Sequence, residues 1–310
     1  MPEVETIRLG LQRYIVGKTI EDVEVRLHKM LTGNPKDIIG AKVIDVRRFG
    51  KGLVIDLNNG YSIAAHIKLT GQFTYRDSLT SNIKLSPKVG LVLPNKFTHV
   101  IFKLKSQISN LKSTSQISKL YYNDLRQFGW IKIVKTDEIQ KLPFFKELGP
   151  EPPVLDYSSS DRVRRGSREV SSRQARTILT LELFKQILSR SNLAIKVLIM
   201  DQKKMSGVGN IYANDALFEA RIDPRRSAKQ ITPEETKKLF NSILKVLKKG
   251  LENGGASELS YVNVLGQEGG YQKHFLVYGR EKESCKVCKT PIKKIKLGGR
   301  GTYFCPECQK

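Results

Sequence analysis

Cysteine is nearly absent from this sequence: the 310 residues contain four, and all of them lie in the last 26. That distribution excludes a scaffold stapled along its length by disulfides. Also missing are any run of 18 apolar residues and any charged-then-apolar opening segment, so the reading is of a chain that neither crosses a membrane nor is exported. Acidic residues are scarce, 30 against 54 Lys and Arg, which leaves a formal charge of +24 and a pI near 9.9. The excess is spread along the chain. Such a field attracts polyanions, either nucleic acid or an acidic membrane face. With 39% hydrophobic residues, a chain of this length buries more than one core, and two or three domains are expected.

The cysteines form Cys285-x-x-Cys288 and Cys305-x-x-Cys308, with 16 residues between the pairs. This spacing places four sulfurs tetrahedrally around one structural zinc ion. With every ligand a protein thiolate, no position remains for water or substrate, so the metal folds the segment and does no chemistry. A finger of this kind closing a basic chain favours nucleic acid over membrane as the partner. The four histidines show no ligand spacing and need no metal role.

Periodicity organises the rest. Val4, Ile7, Leu11 and Ile15 are spaced for an amphipathic helix over 3–16. Leu53, Ile55 and Leu57 alternate, Asn58-Asn59-Gly60 supplies a turn, and Ile63, Ala65 and Ile67 alternate again, which predicts a β-hairpin. Further strands are expected at 98–105, 119–123 and 130–134, giving a two-layer β domain behind one helix. From Leu179 the period returns to 3.6. Thr232, Pro233 and Glu235 form a capping box ahead of Leu239, Ile243, Val246 and Leu247, and Gly254-Gly255 ends that helix. Two basic stretches, 105–119 and 158–176, the second with six arginines, read as surface insertions.

The opening Met1-Pro2-Glu3 carries chemistry of its own. Removal of Met1 leaves Pro2 with a free secondary amine, and an α-amino group (pKa about 8) is unprotonated roughly a hundred times more often than lysine (about 10.4) at neutral pH. Attack on a sugar C1′ forms an iminium, an electron sink that acidifies the C2′ proton for elimination. Glu3 is placed to act as general acid on the ring oxygen or the leaving base. A Met-Pro start and a first-turn glutamate are also what an ordinary helix with a favoured dipole presents.

The motifs MPEVET, RRFGKGLVIDL (47–57), HIKLTG (66–71), DLRQFG (124–129), LGPEP (148–152), MSGVGNIYANDALF (205–218), GGYQ (269–272), VYGR (277–280) and the CxxC pairs occur in one order. Together they closely resemble the formamidopyrimidine-DNA glycosylase family of base-excision repair enzymes, across nearly the whole chain apart from the two insertions. The resemblance implies an α+β multidomain fold: an N-terminal catalytic β-sandwich with a flanking helix over 1–137, a helical domain with a helix-two-turn-helix over 138–274, and a zinc-finger β-hairpin over 275–310. It implies that Pro2 is the Schiff-base nucleophile, Glu3 its proton donor, Lys51 a proton donor in strand cleavage, and Arg300 a phosphate contact that assists the final elimination. His99, Arg126, Lys196, Asn210 and Tyr278 match DNA contacts. Phe128 matches the aromatic wedged into the base stack, and Leu69 the void-filling position. The implied substrate is damaged double-stranded DNA carrying 8-oxoguanine or formamidopyrimidines, cut by a monomer in the cytoplasm by β,δ-elimination. Because a duplex hides C1′, the nucleotide must be rotated out, and inserted side chains and phosphate clamps offset the cost.

The chain departs from the pattern in three places. Family members carry a Pro-Glu and then Leu-Pro-Glu before Val-Glu-Thr, so three residues are missing ahead of Val4. Three readings follow: a start lying upstream, a shortened lead with helix one starting later, or a zinc-finger protein that binds damage without cutting. Leu69 stands where methionine is usual, and Leu125 and Gln127 replace the commoner Pro and Arg. A relative of endonuclease VIII type, preferring oxidised pyrimidines, is the alternative within the fold. Val4-Glu5-Thr6 and the segment Tyr261–Tyr271, which resembles the purine-capping loop, favour the purine enzyme.

Overall fold

The computed structural model describes residues 1–106, 117–153 and 177–310. The insertion at 158–176 lies outside the described residues, and of 105–119 only the ends are described. The first helix, α1 (Pro2–Ile15), opens on proline, which is well tolerated at a first helical position because the N–H it lacks has no acceptor there. Val4, Ile7, Leu11 and Ile15 are buried, as their spacing predicts. The reading in which this helix starts later is corrected: Pro2 and Glu3 are themselves its first turn.

Among the described residues, the strands that follow are β1 (Thr19–Val25), β2 (Leu31–Thr32), β3 (Val43–Phe49), β4 (Gly52–Leu57), β5 (Tyr61–His66), β6 (Gly71–Arg76), β7 (Thr98–Lys105), β8 (Ile117–Asp124) and β9 (Trp130–Lys135). They form a four-stranded sheet in the order β1-β7-β8-β6 and a five-stranded sheet in the order β2-β9-β5-β4-β3. The hairpin expected around Asn58-Asn59-Gly60 is β4 and β5, antiparallel with Ile55 opposite Ile63. Every residue of β4 is buried, because α1 packs along β3 and β4 as well. A short helix, α2 (Pro143–Lys146), packs Phe144 and Phe145 edge-on against His66 and Trp130.

Two compact units result, residues 2–146 with 253–272, and Met1 with 147–252 and 273–310. The second unit holds α3 (Leu181–Ser189), α4 (Ile195–Met200), α5 (Asn210–Ala220), α6 (Pro233–Glu252) and a hairpin of β10 (Lys293–Leu297) and β11 (Arg300–Phe304). The capping box before α6 forms in both directions: Glu235 N–H donates to Thr232 Oγ1 at 3.2 Å, and Thr232 N–H donates to Glu235 Oε2 at 2.9 Å. Leu239, Ile243, Val246 and Leu247 are all buried. The mixed α+β architecture, with sheets first, helices next and a finger hairpin last, is the fold class expected.

Candidate functional site

One row of the five-stranded sheet explains how distant motifs meet. Phe49 pairs with Gly52, Gly52 with His66, and His66 with Trp130. Three loops therefore leave the sheet at the same end: the turn carrying Lys51, the link 67–70 carrying Leu69, and the link 125–129 carrying Arg126 and Phe128. In the other sheet Gly71 pairs with Asp124, which anchors the last two loops from their other ends. Leu69, Leu125 and Phe128 are 47%, 58% and 54% exposed, which groups three large apolar side chains on adjoining loops at this end. Lys68 and Gln127 sit at positive φ, 48° and 55°, so the loops bearing the apolar tips are sharply bent.

Asp124 holds that geometry and had no role in the sequence reading, although it opens the DLRQFG motif. It is fully buried. Its Oδ1 accepts from the Thr70 hydroxyl and from Arg126 N–H at 3.2 Å, and its Oδ2 accepts from Gly129 N–H at 2.7 Å. Gly129 is required here, since a Cβ would lie 2.0 Å from the Tyr122 hydroxyl. His99, expected at the DNA, is only 4% exposed, with Nε2 2.8 Å from the Asp124 carbonyl oxygen. In this arrangement it supports the loop from behind. The Arg126 guanidinium lies 4.7 Å from the centroid of the Phe128 ring, pairing a cation with the exposed aromatic. His66 stays neutral: burial first, then the charges of Lys68 and Lys51, push it down to about 3, and its Nδ1 accepts from Lys68 N–H at 2.9 Å.

The first turn of α1 is tied to the Lys51 turn by a buried ion pair that the sequence reading also missed. Arg48 Nε donates to Glu5 Oε2 at 2.6 Å, and Arg48 Nη1 donates to the Gly50 carbonyl at 2.9 Å. Arg8 pairs with the other oxygen of Glu5 at 2.7 Å. Burial pushes the Glu5 carboxyl up, but the two guanidiniums outweigh it and hold it below the usual range. Pro2 is buried, and Glu3 is 6% exposed with Oε1 accepting from Ala256 N–H at 2.9 Å.

In the second unit, Gly207 (φ 89°) and Gly209 turn the chain from α4 into α5, with Asn210 as the first residue of α5. Gln202 braces this turn, donating to the Val208 carbonyl at 2.9 Å and accepting from Gly207 N–H at 3.1 Å. Lys196 and Asn210 converge on β11: Lys196 Nζ donates to Thr302 Oγ1 at 2.7 Å and to the Gly301 carbonyl at 3.0 Å, and Asn210 Nδ2 donates to that carbonyl at 3.2 Å. The Lys196 side chain is fully buried. Burial first, and the charge of Arg300 second, push its ammonium down to about 7. Arg300 is exposed at the start of β11. Tyr278 packs edge-on against Phe275 and Tyr303, at 5.3 and 5.1 Å between centroids.

The four cysteine sulfurs lie within 4.8 Å of one another and are not joined as disulfides. Cys285 and Cys308 are 3.9 Å apart at Sγ, and Cys288 and Cys305 3.3 Å. Tetrahedral zinc with Zn–S near 2.3 Å calls for S···S separations of about 3.8 Å, so the set fits a closed four-sulfur site. Val287 N–H and Cys308 N–H point at the Cys285 and Cys305 sulfurs at 3.4 Å, as thiolates require. No helix among the described residues is long and apolar enough to cross a membrane.

Comparison with known proteins covers the whole chain. Residues 1–131 match the formamidopyrimidine-DNA glycosylase N-terminal domain, 173–261 its H2TH domain, and 282–310 the zinc finger found in FPG and IleRS. The formamidopyrimidine-DNA glycosylases of Pelotomaculum thermopropionicum and Streptococcus mutans are 36% and 34% identical, each alignment spanning 100% of this chain and 98% of the relative. Among solved structures, a Lactococcus lactis FPG mutant in complex with a Fapy-dG containing DNA superposes with a TM-score of 0.79 at 28% identity, covering 100% of this chain and 99% of that one. The MutM (FPG) protein of Thermus thermophilus gives a TM-score of 0.77 at 31% identity, covering 100% and 98%. Full-length identity above 30%, three domain matches in order and a shared fold establish that the chain belongs to the formamidopyrimidine-DNA glycosylase family.

Proposed function

We propose that this protein excises 8-oxoguanine and formamidopyrimidines from duplex DNA, with Pro2 as nucleophile, and then cuts the strand as an AP lyase. The Pro2 nitrogen bonds to C1′ as the glycosidic bond breaks, the base leaving with a proton. Glu3 supplies that proton or protonates the ring oxygen. Loss of the C2′ proton from the resulting iminium expels the 3′ phosphate, with Lys51 as proton donor, and Arg300 assists the second elimination that releases the 5′ phosphate. Leu69, Arg126 and Phe128 fill the space left by the extruded nucleotide. Lys196, Asn210 and Tyr278 serve phosphate binding, His99 backs the wedge loop, and one zinc ion on Cys285, Cys288, Cys305 and Cys308 keeps the finger folded. The protein acts as a cytoplasmic monomer associated with the nucleoid through its DNA.

The observation that carries this reading is the convergence, at one end of the sandwich, of the Lys51 turn, two exposed apolar tips and the first turn of α1, tied together by Arg48 and Asp124. Large apolar side chains grouped on adjoining loop tips beside exposed Arg126 suit contact with an unstacked base step. Borohydride reduction on a duplex with an abasic site tests it. The expected product is a covalent adduct that peptide mapping places on Pro2 and that disappears when the terminal amine is acetylated. Binding without an adduct, or an adduct elsewhere, overturns the assignment. Repeating the trap with three residues of the family pattern added ahead of Pro2 reads directly whether the lead length matters. Val4-Glu5-Thr6 and the segment Tyr261–Tyr271 favour purines over pyrimidines, and faster excision of thymine glycol than of 8-oxoguanine would reverse that choice.

A further inference from the structure

The segment 253–272 belongs to the sandwich unit although α6 separates it from the strands in sequence. Between Gly254 and Gly270 it forms no helix or strand, so bonds to other parts of the unit decide its shape. Its beginning touches the first turn of α1, where Ala256 N–H donates to Glu3 Oε1. Its middle touches the apolar tip, where Ser260 Oγ donates to the Leu69 carbonyl at 2.6 Å. The loop thus spans from the residue beside Pro2 to the void-filling side chain.

A second set of bonds closes the loop from outside. Lys88 Nζ donates to the Ser257 carbonyl and to Glu268 Oε2, the latter at 2.8 Å, so one ammonium joins two points of the loop eleven residues apart. Ser86 adds two bonds: its Oγ donates to Glu268 Oε1 at 2.6 Å, and its N–H donates to the Gly266 carbonyl at 2.8 Å. Gln72 Nε2 joins the Ser260 carbonyl (2.6 Å) to the Lys88 carbonyl (3.1 Å). The Lys88 and Glu268 side chains are 26% and 36% exposed, so the pair is partly shielded from solvent.

The geometry points to Lys88, with Ser86, Gln72 and Glu268, as a clasp that holds segment 256–268 closed beside Glu3 and Leu69, making these four residues positioning determinants of base selection. The inference rests on the catalytic reading above. An extruded damaged base must be held beside its sugar while the glycosidic bond breaks, whereas an abasic site has no base to hold. The clasp therefore matters to excision and is idle in abasic-site cleavage.

Lys88→Met separates these outcomes. Single-turnover excision of 8-oxoguanine is expected to fall about tenfold, with abasic-site nicking within about twofold of the unaltered protein. Lys88→Arg, which keeps a cation able to reach both acceptors, recovers most of the excision. In the free protein, amides of 256–268 exchange faster with solvent in Lys88→Met and nowhere else in the sandwich. Equal losses in both reactions, no loss in either, or unchanged exchange overturn the clasp. If the unaltered protein cuts neither duplex, the catalytic reading has failed, and the exchange measurement alone then decides whether the clasp exists.

Discussion

The loop end of the sandwich, with Leu69 and Phe128, and the finger, with its lysines and Arg300, both present side chains to solvent, yet they rest on different cores. At the loop end, buried charge does the holding: Asp124 gathers Thr70, Arg126 and Gly129, and Glu5 with Arg48 fastens the Lys51 turn. A two-sheet core lies beneath and tolerates exposed Leu69 and Phe128 above. The finger too is gripped by buried charge, Lys196 on Gly301 and Thr302 and Asp215 on the amides of 276–278, but it has no two-sheet core of its own. Its core cluster is Phe218, Val277, Cys285, Ile292 and Cys305, two of them metal ligands, while Lys293, Lys294, Lys296 and Arg300 face water. Too little apolar surface is available there to offset the entropy of ordering the chain, and a metal crosslink replaces it. A large core can hold apolar side chains in water, and a small one can hold cations there only with a metal.

Removing the metal breaks the comparison most severely. Cys285→Ser, or chelation, is expected to unfold the finger, because structural zinc is worth roughly 10–16 kcal/mol in isolated fingers, and to abolish DNA binding. Far-UV spectra should retain the sandwich signal. An intact finger fold in zinc-free protein would show that its small core suffices. Next in size is Asp124→Ala, which strands the Thr70 hydroxyl and Gly129 N–H and should cost about 3 kcal/mol in urea unfolding, with excision lost through the disordered 125–129 loop. Phe128→Ala should reverse that pattern. Being half exposed, it should shift stability by less than about 0.5 kcal/mol, yet lower excision at least tenfold through the unfilled gap. A stability loss as large as that of Asp124→Ala would mean that Phe128 belongs to the core.

The smallest effect sharpens the finger side. Lys196 is held at about 7 when folded and titrates in the ordinary lysine range when unfolded. Between those values the unfolded chain binds the extra proton, so stability rises with pH from about 7 upward and levels off near the ordinary lysine pKa. Urea midpoints should climb over that window and flatten in Lys196→Met. A phosphate beside Lys196 restores its charge, so DNA binding near pH 8.5 should take up a proton, detectable as a dependence of binding heat on buffer ionisation. Equal heats in all buffers would place the phosphate elsewhere.

Much of the fold was legible because its signals are local. The period of α1, the alternation of β4 and β5, the capping box of α6 and the CxxC pairs each depend on residues within one element, and each element formed where expected. Candidate site residues were proposed from motifs, but the residues that hold them were not legible. Asp124, Arg48 and Lys88 look like ordinary surface charges in sequence. Each acquires meaning from a partner that arrives by folding: Thr70 is 54 residues from Asp124, Glu5 is 43 from Arg48, and Glu268 is 180 from Lys88. His99 shows the converse, since its match to the family implied a DNA contact, whereas folding buries it with Nε2 on the Asp124 carbonyl oxygen.

The sequence by itself determined the charge, the metal ligands, the helix and strand periods and the family, because each of these is a property of neighbours along the chain. Tertiary structure alone decided which loops share an end of the sheet, which carboxylates lose their solvent and which apolar tips keep it. Those depend on register across strands and on burial, and a row of pairings from Phe49 to Trp130 is written in no single stretch of residues.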